Sequence, residues 1–246
     1  LRVPFFKIPS GEINNLPFLW KIANLKKNVI LSTGMSNLSD IELALAVLNH
    51  GFSSRTQPKD LDEVWALWSK LDINKFRKKV SILHCLSNYP AKDNEVNLNA
   101  IKTLKKAFKI PVGFSDHSLG IHLPIAAIAL GAVIIEKHLT LDKNLEGPDH
   151  SSSLEPLELK KLVENIRSLE NALGDGIKKT QKNEWEVRGK VRKKIVASRK
   201  IKKGEKFSSK NLKIIRSETG LYPENYWNLL GTISDKNYSE NDSIDK

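Results

Sequence analysis

Along the chain, two hydrophobic periods take turns. Short β-branched or apolar runs give way to a polar turn, and then to stretches in which apolar residues recur every three to four positions, the patterns of a strand and of an amphipathic helix. Four such units stand in succession, which predicts a parallel sheet with helical crossovers. Asn28–Thr33 (NVILST) is the clearest strand. After Gly34, a Ser39–Asp40–Ile41–Glu42 capping box opens a helix with Ile41, Ala44, Leu45 and Leu48 on one face and Gly51 beyond its end. Val80–Cys85 (VSILHC) is the next strand, and its helix carries Leu98, Ile101, Leu104 and Phe108 and ends before Pro111. Val112–Ser115 and Ala132–Glu136 are the third and fourth strands, with an apolar helix around Pro124–Leu130 between them. Phe5–Ser10 predicts one further strand upstream of these.

Between Phe52 and Lys79, Leu61, Val64, Trp68 and Leu71 recur at helical spacing. They predict an extra helix on the outside of the sheet, with Trp65 and Trp68 as packing residues. Pro156 is placed to open a helix whose apolar stripe (Leu159, Leu162, Val163, Ile166, Leu169, Leu173) stops at Gly174 and closes a first domain over residues 1–174. Residues 175–190 are polar, basic and weakly periodic, as a linker is. Beyond them Val191–Val196, Lys213–Arg216 and Thr232–Ser234 are short and strand-like, so residues 191–246 are expected to form a small, mostly β domain.

Composition narrows the class. Forty per cent hydrophobic residues in 246 support a sizeable core and exclude whole-chain disorder. No run approaches the ~20 uncharged apolar residues of a membrane span, and the opening residues lack the basic and apolar regions of a signal peptide. A single cysteine, Cys85, excludes an internal disulfide and a cysteine-based zinc site, so a soluble protein of the reducing cytoplasm is expected. The formal charge of +12 is local: Ile177–Lys213 holds fifteen Lys/Arg against three Asp/Glu, leaving the remainder neutral. That stretch has few aromatics, and the chain's 32 Lys outnumber its 8 Arg, which suits a solvated surface better than a nucleic-acid groove.

Polar, reactive side chains collect just after the strands: Lys7 and Ser10; Ser32 and Thr33; His84 and Asn88; Ser115, Asp116 and His117; Lys137, His138 and Thr140. In a parallel α/β barrel all strand C-termini open on one face, so these residues are expected to share a site. His117 and His138 are the candidates for a common cation, although spacing alone serves equally for two imidazoles bonded to neighbouring carboxylates. Ser10, Ser32 and Ser115, with Lys7, Asn88 and turn amides, suit a ligand bearing phosphate and carboxylate. His84, inside an apolar run, reads as a core residue. No Ser–His–Asp spacing, P-loop, dinucleotide glycine fingerprint or zinc-protease motif is present.

The blocks KIPSGE (Lys7–Glu12), ILSTGMS (Ile30–Ser36), LHCLSNYP (Leu83–Pro90), VGFSDHSLG (Val112–Gly120), IEKHLTLDKNLEGPDHSSSLEP (Ile135–Pro156) and VRKKIVASRKIKKGEKFSSKNLKIIR (Val191–Arg216) together resemble the sialic acid synthase family, with its legionaminic and pseudaminic acid synthases. The resemblance runs nearly end to end. It implies a partial TIM (β/α)8 barrel of about five units, followed by a small antifreeze-like (SAF) domain. The implied reaction is condensation of phosphoenolpyruvate with an N-acetylmannosamine-type sugar, giving a nonulosonic acid and phosphate. It implies a divalent metal on His117 and His138, Mn²⁺ first, with Mg²⁺ or Co²⁺ as alternatives. Lys7, Ser10, Ser32, Asn88 and Ser115 match the positions that hold phosphoenolpyruvate, and Glu12, Tyr89 and Asp149 those on the sugar side. Arg216 matches an arginine that one subunit inserts into its partner, so a domain-swapped homodimer is expected.

Two departures from the family pattern stand out. Ser217–Glu218 follows Arg216 where the family has Pro-Gly. Five strands are counted against the family's eight, so the expectation is an N-terminally truncated synthase, inactive by itself. The competing expectation is a carbohydrate- or polyanion-binding module built on the SAF-like domain and the basic linker. GPDHSSSLEP points to the sialic or legionaminic branches.

Overall fold

The computed structural model describes residues 3–245 of the chain. They fall into two compact units that divide between Asp175 and Gly176. The first is a five-stranded sheet of β1 (Phe5–Ile8), β2 (Asn28–Ser32), β3 (Val80–Cys85), β4 (Val112–Asp116) and β5 (Ile135–Lys137), in that spatial order. Every neighbouring pair is parallel. The connections carry helices α1 (Leu16–Asn24), α2 (Leu38–Ser53), α3 (Leu61–Trp68), α6 (Ala100–Phe108) and α7 (His122–Ala129), with the single turns α4 (Ile73–Phe76) and α5 (Asp93–Val96) between them, and α8 (Pro156–Leu173) follows β5.

Side chains alternate across a strand, and the two faces of the sheet differ in chemistry. Ile8, Val29, Leu31, Val80, Ile82, Val112 and Phe114 join Leu19, Ala23, Leu45, Leu48, Ile101 and Leu104 of the helices in one buried cluster. The intervening positions, among them Lys7, Ser32, Cys85, Ser115 and Glu136, belong to the opposite face. The outer helix α3 buries Val64 in the same cluster, and Trp68 packs against that cluster and donates from Nε1 to Glu42 Oε1 of α2 at 3.1 Å, as expected. Trp65, expected to pack beside it, is instead exposed and outside the cluster, because it lies one residue past Val64 and so turns away from the face that Val64 and Trp68 share.

Several expected elements differ in detail. The helix after β2 is capped two residues earlier than the sequence suggested: Asn37 Oδ1 accepts from Ser39 N and Asp40 N at 2.8 and 3.1 Å, while Asp40 Oδ2 accepts from Asn37 N at 2.9 Å. Asn is among the best N-cap residues, and this reciprocal pair outcompetes the serine two positions on. The fourth expected strand, Ala132–Glu136, enters its regular ladder only at Ile135, because Gly131, at φ +97°, turns the chain and Ala132 N still donates back to Ala127 O. A helix, α9 (Glu184–Val191), fills the end of the stretch read as a linker and takes in Val191, so the strand expected over Val191–Val196 starts instead at Lys193.

The second unit pairs β6 (Lys193–Ala197) with β7 (Leu212–Arg216) in antiparallel fashion around Ile195, Ile201, Phe207, Leu212, Tyr238 and Ile244. Thr232–Ser234, expected as a strand, contributes an isolated bridge between Ile233 and Lys206. No helix among the described residues is long and apolar enough to cross a membrane.

Candidate active site

The polar face of the sheet carries two groups of side chains. In the first, Lys7 Nζ of β1 lies 3.0 Å from Glu136 Oε1 of β5, and the same oxygen accepts from Ser115 Oγ of β4 at 2.7 Å. Neighbouring strands stand ~4.8 Å apart, so a flat sheet of five would hold β1 and β5 about 19 Å from each other. An ion pair between them requires the sheet to curl into a half-barrel with this face inside. Ser32 Oγ, buried on the same face, has no hydrogen-bond partner among the described residues. A buried hydroxyl left unsatisfied costs about 1–3 kcal/mol, a debt that a ligand oxygen would cancel.

Ser10 follows β1 and accepts from Gly34 N at 2.9 Å, joining the first two turns of the site. Glycine lets these turns come this close, since a β-carbon at Gly34 would stand 2.8 Å from Ser10 Oγ and closer still to Ser87 Oγ, so one or both serines would have to shift. A cleft of about 370 Å³ opens beside this pair, lined by Ser10, Gly11, Asn14, Gly34 and Met35.

The second group is His117, His138, Tyr89 and Asp149. The imidazoles of His117 and His138 meet edge to face, with centroids 5.2 Å apart, and the Tyr89 ring lies 4.1 Å from the first and 5.4 Å from the second. His117 Nδ1 is 2.6 Å from the carbonyl oxygen of Leu86. A ring nitrogen facing a carbonyl at that distance donates its proton, so in the neutral ring Nε2 carries the free lone pair. His138 Nδ1 lies 3.6 Å from Asp149 Oδ2. Burial pulls His117 below the ordinary histidine value, with His138 acting in the same direction and the Leu86 carbonyl, Asp116 and Glu136 opposing it. Burial likewise lifts the Tyr89 phenol, aided by Cys85, Asp149 and Glu136. Glu136 is therefore the residue that borders both groups.

The donor chemistry suits a divalent cation. His117 offers a neutral imidazole whose far nitrogen is held by a carbonyl, as metal-binding histidines are, and His138 faces it at ligand-sharing distance. Among the described residues no three His, Cys, Asp or Glu side chains gather closely enough to enclose an ion. Two histidines are what this arrangement could offer a cation, and any further ligands would have to be water or substrate oxygens.

Other expected residues are engaged locally. Glu12 Oε2 accepts from Asn15 Nδ2 at 2.7 Å, and Asn88 Nδ2 donates to Glu95 Oε2 at 3.4 Å. Arg216 is exposed on β7 of the second unit. His84 is a packing residue, with Nε2 2.7 Å from the Val96 carbonyl oxygen and its ring stacked on Phe114. Lys137 and Asp116 turn to the helix-packed side, where they pair with each other. Glu136 was the residue the sequence reading passed over. The period of two through Ile134–Glu136–His138 would have found it, as an acid on the inward face of an apolar strand.

A model of the NeuB family matches residues 1–178. The chain is 50% identical over 244 residues to N,N'-diacetyllegionaminic acid synthase of Campylobacter jejuni subsp. jejuni serotype O:2, covering 99% of this chain and 66% of that protein. It is 35% identical over 246 residues to the N-acetylneuraminate-9-phosphate synthase of Homo sapiens, covering 99% of this chain and 62% of the relative. Among solved structures, the N-acetylneuraminic acid (sialic acid) synthetase from Leptospira borgpetersenii serovar Hardjo-bovis, in complex with citrate, is similar with a TM-score of 0.61 and 36% identity, over 76% of this chain and 56% of that one. The chain thus spans slightly less than two thirds of the length of these curated relatives.

Proposed function

The chain belongs to the NeuB family, and from that premise we propose that it serves as a nonulosonic acid synthase, condensing phosphoenolpyruvate with an N-acetylated amino sugar and releasing phosphate. The observation that carries this reading is the meeting of Lys7, Ser115 and Glu136 with the His117–His138 pair on one concave face.

In this reading the Lys7 ammonium, the Ser10, Ser32 and Ser115 hydroxyls and the Asn88 amide hold the phosphate and carboxylate of phosphoenolpyruvate. Charge-assisted donors of this kind are the strong ones for such oxygens. Lys7 exchanges the Glu136 carboxylate for the substrate's anion on binding, which frees Glu136 to accept from the sugar's hydroxyls. Tyr89, Asp149 and Glu12 line the sugar side, and the Tyr89 ring, lying against both imidazoles, keeps water from them. A divalent cation on His117 and His138, Mn²⁺ first, with Mg²⁺ or Co²⁺ as alternatives, supplies Lewis-acid polarisation of the sugar's aldehyde. The Leu86 carbonyl orients His117 through its Nδ1, while the Asp149 carboxylate, 3.6 Å from His138 Nδ1, offers that ring an opposite charge rather than a hydrogen bond.

The GPDHSSSLEP block fits the sialic or legionaminic branches, and the 50% identity to an N,N'-diacetyllegionaminic acid synthase favours the second, with a diacetamido sugar as the acceptor. The second unit is read as an SAF-like domain over residues 191–246 that delivers Arg216 to the sugar's N-acetyl group of a partner subunit in a domain-swapped homodimer, and the cytoplasm is the compartment where both substrates would be met. Turnover by this chain alone is expected to be absent, since five strands enclose only part of a barrel site. Calorimetric titration with phosphoenolpyruvate tests the reading: saturable binding that Lys7→Ala weakens at least tenfold supports it, and absence of binding by the unmodified chain sinks it. Phosphate release by the chain equal to that of a full-length relative would overturn only the expected lack of turnover.

A further inference from the structure

Asp116 and Lys137 form an ion pair that the reaction does not use. They are direct partners across the β4–β5 ladder, their side chains are 0% and 3% exposed, and Lys137 Nζ lies 2.6 Å from Asp116 Oδ2. Lys137 also donates to the Ser118 carbonyl, and Asp116 Oδ1 accepts from Ser118 N at 2.9 Å. Ser115 and Glu136 face the site, so Asp116 and Lys137 face the helices, and the next residue on each strand, His117 and His138, returns to the site face. Each member of the pair therefore sits immediately before one histidine.

Removing two charges from water offsets most of their mutual attraction, and well-packed apolar residues of similar volume commonly hold such a position as well or better. Stability is thus a poor reason for this pair. Its three hydrogen bonds do something apolar residues would not: they tie the end of β4, the turn after it and the end of β5 into one geometry. We propose that Asp116 and Lys137 are positioning residues that hold the His117 and His138 imidazoles at the separation where both Nε2 atoms reach one divalent cation. The inference rests on the metal reading given above.

Mn²⁺ binding to the whole chain, followed by electron paramagnetic resonance, tests it without turnover. The unmodified chain and His138→Ala establish whether the histidine seat binds the ion at all. Asp116→Leu/Lys137→Met, which replaces the pair by apolar residues, is expected to keep a cooperative melt while its Mn²⁺ affinity falls about 10- to 100-fold, the usual effect of losing groups that orient metal ligands. If that variant does not fold, Asp116→Ala/Lys137→Ala, which removes the same three hydrogen bonds with smaller side chains, is measured in its place, with the same fall expected. A folded double variant that binds Mn²⁺ as tightly as the unmodified chain overturns the positioning role alone. No saturable binding by the unmodified chain, or binding undiminished in His138→Ala, overturns the metal reading and the inference together.

Discussion

Lys7 and Glu136 stand on the two outermost strands of the sheet, yet their charged ends are 3.0 Å apart. Their side chains are 31% and 34% exposed. A partly exposed pair of this kind contributes about 0–1 kcal/mol to stability. Glu136→Gln should leave the melting temperature within a few degrees of the parent. It should also weaken sugar binding in the presence of phosphoenolpyruvate by about 1.5–3 kcal/mol, the worth of a charged hydrogen bond, as read by calorimetry. A large drop in melting temperature would show that the pair is structural.

Thermal shift offers a separate view of the histidine seat. A ligand that binds only the folded state at 100 times its dissociation constant stabilises by about 2.7 kcal/mol. Mn²⁺ should raise the melting temperature of the unmodified chain and be without effect in His117→Ala or His138→Ala, and a chelator should reverse the rise.

Gly34→Ala probes the phosphate side. Its methyl group would press on the hydroxyls of Ser10 and Ser87, pushing apart the two turns joined by the bond from Gly34 N to Ser10 Oγ. Phosphoenolpyruvate affinity should fall by tenfold or more while the sheet, whose core is elsewhere, still melts cooperatively. Unaltered affinity would remove this turn from the binding site.

His84 sets a pH dependence. Burial holds its imidazole below the ordinary value of 6.5, with the Val96 carbonyl partly opposing. The unfolded chain therefore takes up a proton at this residue before the folded one does. Its contribution to stability is present above about pH 6.5 and is lost as pH falls toward the lower folded value. Urea midpoints measured at pH 7.5 and 5 should fall on acidification, and fall less in His84→Gln. An equal fall in both would place the titration at other groups.

Much of this was legible in the chain before any coordinates. β3 runs over Val80–Cys85, as its apolar run indicates, and the parallel order follows from alternating strand and helix periods. What escaped has physical causes. Asn37 capped α2 because a reciprocal side-chain bond counts for more than a motif two residues later. Glu136 was missed and Lys137 noticed because both sit at a strand end where type alone does not reveal direction; only the pleat assigns one to the cavity and the other to the helices. The curl that joins β1 to β5 arises from the sheet as a whole, and no local window of sequence contains it.

The Leu86 carbonyl that accepts from His117 lies three residues before Tyr89, on the same connection out of β3. If sugar and cation bind as proposed, a ligand that shifts this segment would also change how firmly His117 is oriented, so occupancy at the aromatic ring and cation affinity at the imidazole would be thermodynamically linked. By reciprocity, whatever factor sugar adds to ion affinity, the ion must add to sugar affinity. One loop would thus impose cooperativity on two partners that never touch it together.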